Sequence, residues 1–73
     1  MAAESTRHRL RKALKAARLR AGLTQAQMAE QMHLSQGYLS QIEVGTRVPS
    51  LRVLRLVAQT TGAKLSELLD DAA

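Results

Sequence analysis

Gln36, Ser40 and Gln41 fall within one six-residue stretch, and each can donate and accept hydrogen bonds at the same time. That chemistry is recognition, because a primary amide or a lone hydroxyl breaks no covalent bond without a base to activate it. Groups that could act as that base are poorly placed. His8 and His33 are far apart in the chain, and the six carboxylates, Glu4, Glu30, Glu43, Glu67, Asp70 and Asp71, make no catalytic pattern with a serine and a histidine. There is no cysteine, so there is no thiol nucleophile, no disulfide and no thiolate metal site. Two distant histidines do not make a zinc site by themselves. A glycine-rich phosphate loop is also lacking. The sequence reads as a binding protein with no catalytic residue, no cofactor and no metal.

Eleven Lys and Arg against six Asp and Glu leave a formal net charge of +5. Such a charge fits a polyanionic partner, since each cation that neutralises a phosphate releases counterions. Taken alone it fits a plain basic surface equally well. Apolar runs are only two or three residues long, which excludes a membrane span. No apolar signal core follows Met1, so the expected location is the cytoplasm.

The elements that must position the amides are helices. With 73 residues there is room for one small domain, and a lone proline and four glycines leave few breakers. Residues 1–6 read as a flexible arm, 7–70 as the domain and 71–73 as a tail. The first helix spans Arg7 to Ala21, with Leu10, Leu14, Ala17 and Ala21 on one apolar stripe and Gly22 as its stop. Arg7, Arg9, Arg11, Lys12, Lys15, Arg18 and Arg20 surround that stripe. The second runs over about 24–32, opened by a capping box of Thr24 and Gln27, with Met28, Ala29 and Met32 inward. His33 and Leu34 make a tight connection. The third covers about 35–44, capped by Ser35 and stopped by Gly45, with Leu39 and Ile42 inward and Tyr38 at the edge.

An extended loop before Pro49 leads to a fourth helix over 50–61, expected to bury Leu51, Leu54, Val57 and Ala58. After Gly62, a fifth helix over 65–70 docks Leu65 and Leu68. The fold class is all-α, a compact five-helix bundle. Val53, Leu56 and Leu69 fall off the expected stripes. They form a candidate exposed patch, read as a homodimer interface in preference to partial burial under the fifth helix.

Each residue of an α-helix turns the chain by about 100°. With Leu39 and Ile42 inward, Gln36, Gly37, Ser40, Gln41 and Val44 must face outward. Two short helices joined by three or four residues have helix-turn-helix spacing, and such a turn holds the second helix proud enough for a major groove. Any helical bundle contains short turns, so the residues themselves must add weight.

They do so by resemblance. Gly22-Leu23-Thr24-Gln25, Met28-Ala29-Glu30 and the run Ser35-Gln36-Gly37-Tyr38-Leu39-Ser40-Gln41-Ile42-Glu43 come first. Gly45, Arg47, Pro49-Ser50-Leu51 and Leu65-Ser66-Glu67-Leu68-Leu69 complete the set. In that order and spacing, Leu14 to Leu69 resembles the Cro/repressor family, also called Xre-type, whose domains are lambda-repressor-like helix-turn-helix bundles.

The resemblance implies a transcriptional regulator of double-stranded DNA, a repressor that binds a palindromic operator as a homodimer. It implies that Gln36, Gln41 and Ser40 read base edges, with Gly37 allowing close approach. A glutamine amide matches adenine N6 and N7 together. Phosphate contacts fall to Gln25, which would also brace Gln36, and to Arg47. Ser35 and Tyr38 join that set by position. An ion pair of Arg18 with Glu43 is implied as structural. His33 departs from the pattern, standing at a turn position where glycine is usual because φ is positive; histidine tolerates this at some cost. Thr61 and Lys64 replace a usual core leucine and a usual capping serine. The alternative is an antitoxin or co-regulator whose main role is binding a protein, a toxin or RNA polymerase. RNA binding is disfavoured with Tyr38 as the only aromatic residue.

Overall fold

Among the residues described in the computed structural model, 6–72, five helices follow one another with no strand: α1 Thr6–Arg20, α2 Gln25–Gln31, α3 Gln36–Val44, α4 Leu51–Thr61 and α5 Leu65–Ala72. Side-chain surroundings are described for residues 6–69. The arm expected over residues 1–6 lies outside the described residues except for Thr6, which opens α1. The α5 helix runs on through Asp71 and Ala72, where a tail was expected.

Capping chemistry explains where the middle helices begin and end. The Thr24 hydroxyl accepts from the Gln27 backbone N–H at 3.1 Å, and Gln27 Oε1 accepts from the Thr24 N–H at 2.9 Å. Ser35 accepts from the Tyr38 N–H at 3.0 Å, and Ser50 from the Val53 N–H at 3.2 Å. Each bond satisfies one of the amides that a helix start leaves without a partner. Gly22, Gly45 and Gly62 all take positive φ at helix ends.

The core is aliphatic and continuous. Leu10, Ala13, Leu14 and Ala17 of α1 meet Met28, Ala29 and Met32, then Leu39 and Ile42 of α3, Val53, Leu54 and Val57 of α4, and Leu68 of α5. The α1 helix contacts α3, α4 and α5, so it is the central strut, while α2 packs on α3. Leu14, Met28, Leu39, Ile42, Val57 and Leu68 are fully buried. Truncating one such side chain to alanine costs about 2–5 kcal/mol, through lost apolar burial and the cavity left behind.

The face of α4 differs from the sequence expectation. Leu51, expected inside, is 51% exposed, whereas Val53, placed on the exposed patch, is 3% exposed. Ala58 is only half-buried. The cause is that α4 lies against both α1 and α5. The buried arc is centred on Val57, flanked by Val53 and Leu54, and Leu51 lies about 120° from that centre, outside it. Ala21 also lies exposed, past the end of α1.

Candidate nucleic-acid interface

The connection between α2 and α3 is tight because His33 takes the left-handed conformation, with φ 57°. The chain then turns back sharply enough for the Leu34 N–H to reach the Ala29 carbonyl at 2.9 Å. Ser35 starts α3 immediately afterwards. A left-handed residue with a Cβ is strained relative to glycine, and the His33 side chain is exposed.

Two faces of α3 have different contents. Leu39, Ile42 and Glu43 are buried. Gln36, Gly37, Gln41 and Val44 are exposed, and Ser40 is half-buried. Tyr38 is half-buried and packs against the core.

Glu43 anchors the inner face. Arg18 donates from Nε to Glu43 Oε2 at 2.7 Å and from a terminal nitrogen to Oε1 at 2.9 Å. The Arg18 side chain is 9% exposed and that of Glu43 2%. Planar guanidinium and planar carboxylate thus meet fork to fork, the geometry in which an arginine–carboxylate pair is strongest. Two further bonds complete the network: Arg18 donates to the Leu23 carbonyl at 2.9 Å, and Gln25 Nε2 donates to Glu43 Oε1 at 3.1 Å. No buried side-chain nitrogen or oxygen among the described residues lacks a partner. Gln25 therefore braces Glu43, where the resemblance had it bracing Gln36.

Two arginines of α1 fix the far end of α3. Arg11 donates to the Glu43 carbonyl at 3.1 Å and to His8 Nδ1 at 2.7 Å, and Arg7 donates to the Gly45 carbonyl at 2.9 Å. Cations are favoured there, because the last carbonyls of a helix carry partial negative charge. Glycine is favoured at 45 on two counts. Its φ is 95°, and a Cβ would stand 3.0 Å from Arg11 Cδ. The sequence pattern places Arg7 and Arg11 only among the cations around the apolar stripe of α1. A signal did exist: Arg7, Arg11 and Arg18 recur at spacings of four and seven, along one edge of the helix.

The α3 helix closes in a Schellman-type ending. The Gly45 N–H reaches the Ile42 carbonyl at 3.2 Å, and the Thr46 N–H reaches the Gln41 carbonyl at 2.9 Å. That same Gln41 carbonyl accepts from the Arg47 N–H at 3.2 Å and from the Thr46 hydroxyl at 3.1 Å. The loop is thereby wrapped around Gln41, and the Arg47 side chain comes back to it. Arg47 Nε donates to Gln41 Oε1, and its guanidinium carbon lies 5.3 Å from the centre of the Tyr38 ring.

Of the other residues singled out, Ser35 accepts the Tyr38 amide and keeps its hydroxyl hydrogen to donate. Val53 is removed from the candidate dimer patch, because its side chain is part of the core. Leu56 is half-buried against that core, and Leu69 is 43% exposed. No cluster of histidine and carboxylates that could hold a metal occurs among the described residues. Nor is any helix among them long and apolar enough to cross a membrane.

Comparison with known proteins agrees with this architecture. The family model described as Helix-turn-helix matches residues 14–68. This chain belongs to that family, in its Cro/repressor (Xre) branch. Among solved structures, it is similar to the crystal structure of the clp gene regulator ClgR from C. glutamicum. The two share 33% sequence identity and a TM-score of 0.87, over 96% of this chain and 91% of that one. No curated protein matches.

Proposed function

We propose that this chain is a cytoplasmic DNA-binding transcriptional regulator, which lays α3 in the major groove of duplex DNA and reads bases with Gln36, Gln41 and Ser40. One observation carries the reading: the outer face of α3 presents the exposed amides of Gln36 and Gln41, while its inner face is locked by the buried Arg18–Glu43 pair. A major groove is about 12 Å wide and admits one helix, and its base edges demand side chains that both donate and accept. Gly37 leaves the start of that face without bulk. Membership of the family and likeness to a gene regulator support the same role.

Around this face stand groups suited to phosphate: the Ser35 hydroxyl, the Tyr38 hydroxyl, the second amide hydrogen of Gln25, and Arg47. Contacts to phosphate hold register on the duplex, and those from Ser35, Tyr38 and Gln25 carry no sequence information. The regulator acts as a repressor on a palindromic operator, as a homodimer with one α3 in each half-site. Leu56 and Leu69 are the remaining candidates for its interface, and Leu51 joins them as a further exposed apolar residue. Sedimentation at tens of micromolar tests the dimer; a monomer both with and without bound duplex excludes it.

The test of the main reading is selection of bound sites from a random duplex library, followed by anisotropy titration at several salt concentrations. The expected result is one enriched inverted repeat, bound more weakly as salt rises. Equal affinity for the selected duplex and for its single strands would refute the proposal.

A further inference from the structure

We infer that Arg47 sets which base Gln41 selects, so that Gln36 and Gln41 read different bases although they are the same residue. This rests on α3 reading duplex DNA. Gln36 is exposed at the start of the helix, where its amide can offer a donor and an acceptor together, the pattern adenine complements with N7 and N6. Gln41 is held differently. Arg47 Nε donates to its Oε1, and Arg47 is itself fixed by two contacts, its own backbone N–H on the Gln41 carbonyl and its guanidinium over Tyr38.

The amide of Gln41 is thus pinned with its oxygen toward a cation, and its NH2 donates no hydrogen bond among the described residues. A carbonyl oxygen has a second lone pair, but the charge beside it decides what approaches. The N6 amino hydrogens of adenine carry partial positive charge and are repelled by the guanidinium. Guanine presents O6 and N7, two adjacent acceptors, which match the Gln41 NH2 and the remaining Arg47 N–H groups. Gln41 and Arg47 act as one donor-only unit that prefers guanine. Arg47 is a positioning residue for Gln41 as well as a cation near the backbone.

Site selection from a random duplex library, run in parallel with the unaltered chain, Gln41→Ala and Arg47→Met, tests this. The Gln41→Ala motif identifies the position that Gln41 reads. There the unaltered chain is expected to prefer guanine over adenine by roughly tenfold, the discrimination typical of a good paired contact. In Arg47→Met the preference at that position shifts to adenine while the rest of the motif persists. Because Arg47 is exposed, this variant is expected to fold; a thermal melt by circular dichroism checks it. If Arg47→Met only weakens binding and flattens the salt dependence, with the motif unchanged, Arg47 is a phosphate contact and the inference fails. Adenine selected at the Gln41 position by the unaltered chain overturns it as well. Failure of the unaltered chain to enrich any motif would instead sink the DNA-reading role itself, and this refinement with it.

Discussion

The two faces of α3 differ in what their polar groups have left to offer. On the inner face Glu43 accepts from Arg18 twice and from Gln25, and its carbonyl accepts from Arg11. On the outer face Gln36 and Gln41 are exposed, with donors still available to a partner. One nine-residue helix therefore carries a saturated side and an unsaturated side. A helix must be rigidly seated before its exposed groups can discriminate between bases, and here the seating is polar as well as apolar. Substitutions on the inner side should act on stability, and those on the outer side on sequence preference.

The largest effect is expected inside. Glu43→Ala leaves the Arg18 guanidinium buried without its partner, at a cost of about 3–5 kcal/mol in urea unfolding. In a domain this small that is a large fraction of the total stability. Replacing both members, Arg18→Met with Glu43→Leu, should recover much of the loss, because no charge is then stranded. If the double variant is no more stable than Glu43→Ala, the pair is not the anchor of the inner face.

Outside, Gln36→Ala should leave unfolding unchanged within about 0.5 kcal/mol, while costing about 1–3 kcal/mol at the selected operator and relaxing one base position. A fall in the melting temperature that matches the lost affinity would erase the distinction between the faces. At the end of the helix both effects should mix. Gly45→Ala must hold alanine at positive φ and push Arg11 aside, so a loss of about 1–2 kcal/mol in stability is expected, with weaker operator binding as the α3 terminus shifts.

The smallest effect is at the turn. His33→Gly relieves left-handed strain of about 1–2 kcal/mol, offset by the greater freedom of glycine in the unfolded chain, roughly 0.5–1 kcal/mol. The net expectation is a gain of about 0.5 kcal/mol, seen as a small rise in melting temperature with operator affinity unchanged.

Much of this architecture is legible in the sequence. Thr24, Ser35 and Ser50 announce helix starts, and Gly22, Gly45 and Gly62 announce ends, because capping is local chemistry between residues three or four apart. The outward face of α3 follows from Leu39 and Ile42 alone. Other features are set by distant neighbours. Whether Leu51 or Val53 is buried depends on α4 having two partners, which no single-helix pattern encodes. Beyond Leu69 no large apolar residue recurs at helical spacing to mark how far α5 continues, and the helix runs on to Ala72. Arg7 and Arg11 have long side chains whose targets lie more than thirty residues away, at Gly45 and Glu43. The bond between Arg47 and Gln41 depends on a loop wrapping back on its own helix, and spacing alone does not fix that.

Tyr38 has one more consequence. It is the chain's only aromatic residue, and the Arg47 guanidinium sits against its ring. The molecule thus contains a single intrinsic fluorophore, located beside the proposed groove-facing surface. Its emission needs no engineered dye to register when that cation moves, so unlabelled protein carries its own optical gauge at the one spot where occupancy would be felt.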